Sequence, residues 1–138
     1  MTRAEREAHR LMADYGEHDP ERLAEKMGVL VIQCDLPETV EGFYHCFREH
    51  PIIYLADRLP ACRRRAVCGH ELGHAVLHGQ INSLLLGDAD SRMEQEADLF
   101  AATLLLAGTL PEDGADVASI MRQTGLPEGA VRRAYHLI

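Results

Sequence analysis

His70-Glu71-Leu72-Gly73-His74 is the stretch on which the reading of this chain turns. On an α-helix, positions i and i+4 share one face about one turn apart, roughly 6 Å along the axis, so two imidazoles at that spacing converge on one metal ion. Glu71 follows the first histidine directly, where a carboxylate can act as general base toward an attacking water. Such a site needs three protein ligands and one open position, so a third ligand is expected elsewhere.

The residues after the motif supply it. In Met93-Glu94-Gln95-Glu96-Ala97-Asp98-Leu99-Phe100, Glu96 shares a helical face with Met93, Leu99, Phe100, Thr103 and Leu104. A carboxylate inside an apolar stripe is costly unless a positive charge meets it, and a zinc ion would. Glu94 is turned roughly 160° away from Glu96, toward Asp98 and Ala101, and reads as a solvated surface charge. Gly73, beside the histidine face, lets another helix backbone come close. Cys68, Leu72 and Val76 make the opposite face apolar, which places the motif helix at the centre of the fold. His78 lies one turn further on, about 12 Å along the axis from His70, and reads as a stabiliser of the helix C-terminus rather than a ligand.

Outward from the motif, the chain reads as α+β. Residues 2–15 form an amphipathic helix stopped by Gly16, and Asp19-Pro20-Glu21 caps a short helix that ends at Gly28. Residues 29–34, 42–47 and 51–55 have strand character, and the last two are joined through Arg48-Glu49-His50, giving a small three-stranded antiparallel sheet. A long helix begins near Leu59-Pro60 and runs to His78. Residues 79–91 are loop-like, Arg92 to Ala107 form the next helix, and Pro111 to Gly114 break the pattern. Residues 116–124 and 127–137 form a closing helix pair around Gly125.

The 138 residues suit a single domain: N-terminal helices over 1–28, sheet and site helices over 29–110, and the closing pair over 111–138. A formal charge of −8 disfavours direct nucleic-acid binding, and the closing pair is only loosely like half of a helix-turn-helix. Residues 1–16 are charged throughout, without an apolar run of signal-peptide or membrane-span length, so a cytoplasmic location with no membrane association is expected. Cys34, Cys46, Cys62 and Cys68 form no CxxC pair and read as free thiols. Arg63-Arg64-Arg65 reads as a solvated helix face, with docking of an acidic partner as the functional alternative. Tyr44, His45 and Tyr54 are the sheet residues able to stabilise an oxyanion.

From Asp19 to Leu137 the chain resembles the ImmA/IrrE family of zinc metallo-endopeptidases. The resemblance rests on the short helix ending in Gly28 and its strand, Gly42 opening a hairpin, and Ile52-Ile53-Tyr54-Leu55 before a helix bearing arginines ahead of HELGHAVLH. Glu96-Ala97-Asp98-Leu99-Phe100-Ala101-Ala102-Thr103-Leu104-Leu105 and the closing pair complete it. The chain departs from the family at Ala66, where an aromatic residue is common, and at Ala107-Gly108, where a proline follows the leucine run.

The resemblance implies a zincin-like fold, His70, His74 and Glu96 as zinc ligands, Glu71 as general base, and a helix-turn-helix transcriptional repressor as the protein substrate. Asp98 is a family feature for which helical geometry alone supplies no role. An alternative from another functional class is a zinc-binding antirepressor acting by association without proteolysis; the intact Glu71 argues against it.

Overall fold

A computed structural model describes residues 1–79, 83–84, 90–108 and 116–135. Within them lie helices α1 (Arg3–Tyr15), α2 (Pro20–Lys26), α3 (Ala61–Leu77), α4 (Ser91–Gly108), α5 (Val117–Thr124) and α6 (Glu128–Ala134), with strands β1 (Leu30–Cys34), β2 (Gly42–Phe47), β3 (His50–Ala56) and β4 (Ser83–Leu84). The expected break at Pro111 to Gly114, most of the expected loop at 79–91, and the last residues of the closing helix lie outside the described residues.

The helix boundaries follow from local chemistry. Thr2 and Glu5 form a reciprocal capping box at the start of α1, and Gly16 closes that helix in the left-handed conformation. Asp19 accepts from the backbone N–H of Arg22 with Pro20 in the first turn of α2, and Asp116 caps α5 through Ser119.

The α+β architecture is as expected, with one correction. The sheet is mixed rather than antiparallel, in the order β1-β3-β2-β4. β1 runs parallel to the central β3, pairing Val31 with Ile53, while β2 runs antiparallel to it, pairing Tyr44 with Ile53. The reason is the chain path: the connection from Asp35 to Glu41 carries β2 past the position beside β1, and β3 then fills the gap between them. The two-residue β4 adds to the far edge of β2 opposite Tyr44 and His45. Arg48 and Glu49 alone form the hairpin turn, both at positive φ, and His50 already belongs to β3.

One sheet face packs on the helices. Tyr44 and Ile53 are buried there beside the apolar side of α3, where Cys68 and Leu72 are fully enclosed. The other face of α3 meets α4, and here side chains all but vanish. A Cβ on Gly73 would lie 3.1 Å from the Ala97 Cα and 3.2 Å from its carbonyl oxygen, and one on Gly69 would lie 3.1 Å from the Ala101 Cβ. Glycine on one helix and alanine on the other allow backbones to meet at a distance that larger residues forbid. A second core, built from Ala66, Ala101, Ala102, Ile120, Leu126, Ala130 and Val131, fastens the closing pair to α3 and α4.

Gly73→Leu is accordingly expected to destabilise the protein by about 1–3 kcal/mol or more, since its neighbours at that point are the Ala97 backbone and the Phe100 Cβ, none of which a rotamer change moves. Urea unfolding of the two proteins measures the difference; an unchanged midpoint would mean that α3 and α4 do not meet this closely.

Candidate metal centre

The α3–α4 contact sets the site. His70 and His74 project from one face of α3, their rings 4.8 Å apart and nearly perpendicular. Glu94, in the first turn of α4, bridges them: its two carboxylate oxygens lie 3.1 Å from His70 Nε2 and 2.8 Å from His74 Nε2. These three residues offer ligand atoms all within 4.8 Å of one another. Two imidazole nitrogens and a carboxylate oxygen are the donor set of a catalytic zinc centre, and three such donors leave a coordination position open. The residues therefore fit the ion that the motif implies.

The expected third ligand, Glu96, is not the carboxylate brought to the histidines. Its Oε1 lies instead 3.8 Å from His78 Nε2 and 3.7 Å from Arg92 Nε. The reason lies in which face of α4 meets α3. The nearest approach is made by the small pair Ala97 and Ala101, both essentially without exposure, with Phe100 beside them at Gly73. On the helical wheel Glu94 and Asp98 lie together on one side of that pair, whereas Glu96 points away from it. The sequence carried a usable signal for this: carboxylates four residues apart, beside small residues on the same helical face, on a helix that must approach Gly73.

Asp98 completes the same arrangement, its Oδ1 lying 2.8 Å from His70 Nδ1. Were Nε2 to hold an ion, Nδ1–H would donate to this carboxylate, fixing tautomer and ring orientation together. His74 has its own outer contact, Nδ1 to His78 Nδ1 at 2.9 Å. The His78 ring is thus turned to His74; the terminal carbonyl of Leu77 is instead met by Arg3, 3.2 Å away.

The charges are strongly coupled. Burial opposes a protonated His70, yet its hydrogen bonds to Asp98 and Glu94 outweigh that and push its pKa up to about 10. Bonds to His70 and His74 hold Glu94 well below the usual carboxylate range. Burial raises Glu71, an effect that His70 and His74 oppose. The Glu71 side chain is also reached by the backbone of Tyr44, which ties this carboxylate to β2.

Beside these groups opens a cavity of about 270 Å³, lined by His70, Glu71, Glu94 and Asp98 on one side and by the segment Thr39–Gly42 and Leu126-Pro127 on the others. Two arginines shape its walls. Arg63 donates to the Glu41 carboxylate at 2.8 Å and to the Gly125 carbonyl at 2.7 Å, joining the loop before β2 to the closing pair. A Cβ on Gly125, which has φ of +72°, would lie 2.7 Å from the Cys62 carbonyl oxygen, so this junction also requires glycine. Arg58 donates to the carbonyls of Leu36, Pro37, Glu38 and Val40 at 2.9–3.2 Å. Arg64, for its part, pairs with Glu21. Tyr44, His45 and Tyr54 do not line the cavity; Tyr54 stacks on Phe43, and the Tyr44 ring is buried on the other side of the motif helix near Ala75 and Val76.

Residues 24–133 match the peptidase M78 family, described as the IrrE N-terminal-like domain. The chain belongs to this family. A curated relative, an uncharacterized immunity region protein 2 from Bacillus phage phi105, is 34% identical over 101 residues. That match covers 70% of this chain and 64% of the relative, so the chain spans less than two thirds of the relative's length. The M78 match takes in the whole of α3, α4 and the cavity, which makes the chain a member of a metallopeptidase family with a His-His-Glu group suited to a metal ion.

Two outcomes follow for zinc binding. Glu94→Gln should strip the protein of zinc while Glu96→Gln retains it, as metal analysis of the dialysed proteins would register; the opposite pattern would return the third ligand to Glu96. Because His70 holds its proton up to a pKa of about 10, zinc taken up at pH 8 must displace it. Calorimetry in buffers of different ionisation enthalpy should detect release of about one proton per zinc ion, and proton-neutral binding would contradict the His70 assignment.

Proposed function

We propose that the chain is a zinc-dependent endopeptidase in which His70, His74 and Glu94 hold the ion and Glu71 is the general base. The observation that carries this reading is the convergence of three ligand atoms from two helices beside a buried glutamate that opens on a cavity. When bound, zinc supplies Lewis acidity that polarises the scissile carbonyl and makes water more acidic.

The remaining work falls to the protein. Glu71 accepts the proton of the attacking water and returns it to the leaving amine. The tie from the Tyr44 backbone holds the carboxylate toward the cavity, and its burial raises its basicity relative to an exposed glutamate. Asp98 keeps His70 in its ligating tautomer. Substrate is laid in extended form along β2, which borders the cavity at Gly42.

The substrate we propose is a helix-turn-helix transcriptional repressor whose cleavage derepresses phage, mobile-element or stress genes. It is supported by the resemblance to the ImmA/IrrE family and by the name of the relative, which assigns it to a phage immunity region. Among the described residues no helix is long and apolar enough to cross a membrane, in keeping with action on a cytoplasmic protein.

Glu71→Gln is expected to retain zinc while cleavage of a repressor encoded beside the gene falls by about 10²–10⁴-fold. Repressor released from its operator equally by both proteins, with its chain intact on a gel, would sink the peptidase reading in favour of association alone.

A further inference from the structure

Two features of the outer surroundings of His74 remain unused by this chemistry: a buried histidine and the carboxylate behind it. His78 is 5% exposed, and its Nε2 is a buried polar atom with no hydrogen-bond partner among the described residues. Its other nitrogen meets His74 Nδ1 at 2.9 Å. Two imidazole nitrogens at that distance share a single proton, one donating and the other accepting.

Which nitrogen donates is dictated by what His74 does at its other end. If Nε2 gives its lone pair to a metal, a neutral His74 ring must carry its proton on Nδ1, and His78 Nδ1 must then be the bare acceptor. The His78 proton is thereby placed on Nε2, the atom that faces Glu96 Oε1 across 3.8 Å. The opposite arrangement, with the proton on His78 Nδ1, requires a bare Nδ1 on His74 and puts a proton on the very nitrogen that should ligate. The order Glu96, His78, His74 thus runs parallel to Asp98 and His70, one link longer.

We propose that His78 is a positioning residue that holds His74 in the tautomer ligating through Nε2, with the Glu96 carboxylate facing the His78 proton. This rests on the assignment of His70, His74 and Glu94 to zinc. It gives Glu96 a place outside the ligand set, and it explains why a histidine is buried at the last turn of α3 with its ring turned inward.

The test uses the native protein loaded with zinc and, beside it, His78→Asn and His78→Leu. Long-range proton–nitrogen NMR correlation of the native protein should show His74 protonated on Nδ1 and His78 protonated on Nε2 alone; a proton on His78 Nδ1 would overturn the proposal. Chelator competition should show His78→Leu binding zinc about 10–100-fold more weakly than the native protein. His78→Asn, whose amide oxygen can accept the His74 proton, should restore most of that loss. Zinc affinity in folded His78→Leu equal to native would also overturn it, and so would equal losses in Leu and Asn variants. If His78→Leu fails to fold, the NMR assignment on the native protein decides. Native protein that binds no zinc would overturn the metal assignment itself, an outcome distinct from native-like binding by the variants.

Discussion

The close approach of α3 and α4 is the constraint on which the rest depends. Gly69 and Gly73 face Ala97 and Ala101 with no room for another methyl group, and that distance determines what a carboxylate on α4 can reach. A glutamate side chain spans only a few ångströms beyond its helix, so residues beside the small pair on the wheel are the ones placed to reach His70 and His74. Glu94 and Asp98 satisfy this condition side by side, one toward both histidines and the other toward the back of His70. The His70-His74-Glu94 group is therefore less a set of separate side chains than a property of one helix crossing.

The same crossing gathers charge. Glu71, Glu94 and Asp98 crowd around His70, and the elevated proton affinity of that imidazole shows how strongly the group calls for a cation. The imidazolium supplies positive charge where the ion's would otherwise act. Glu71 lies on the buried side of this cluster and Glu94 on the half-exposed side, so two neighbouring carboxylates have their basicity driven in opposite directions by their surroundings. That divergence suits identical side chains to different roles, as the proposed base and the proposed ligand require.

Much of this was legible from the residues. Capping residues and glycine stops marked the helices, and the HELGH spacing identified the shared face of His70 and His74. Two features were not. Strand direction depends on where the chain travels between strands, and the β-type runs in 29–34 and 51–55 look alike whether their neighbours are parallel or antiparallel. Nor does a hydrophobic pattern show where α4 comes nearest to α3, because large apolar residues dominate the pattern. They mark the thickest part of the core; the closest contact is made by the smallest side chains, and Ala97 and Ala101 carry little weight in any hydrophobic pattern.

Arg58 offers a last point about the cavity wall. One guanidinium holds the carbonyls of Leu36, Pro37, Glu38 and Val40, so the course of that segment is specified through its backbone. A wall held in this way is indifferent to the identity of most side chains it displays. Substitution of side chains there leaves the backbone ties of Arg58 intact, whereas any side chain added at Gly69 or Gly73 meets α4 at once.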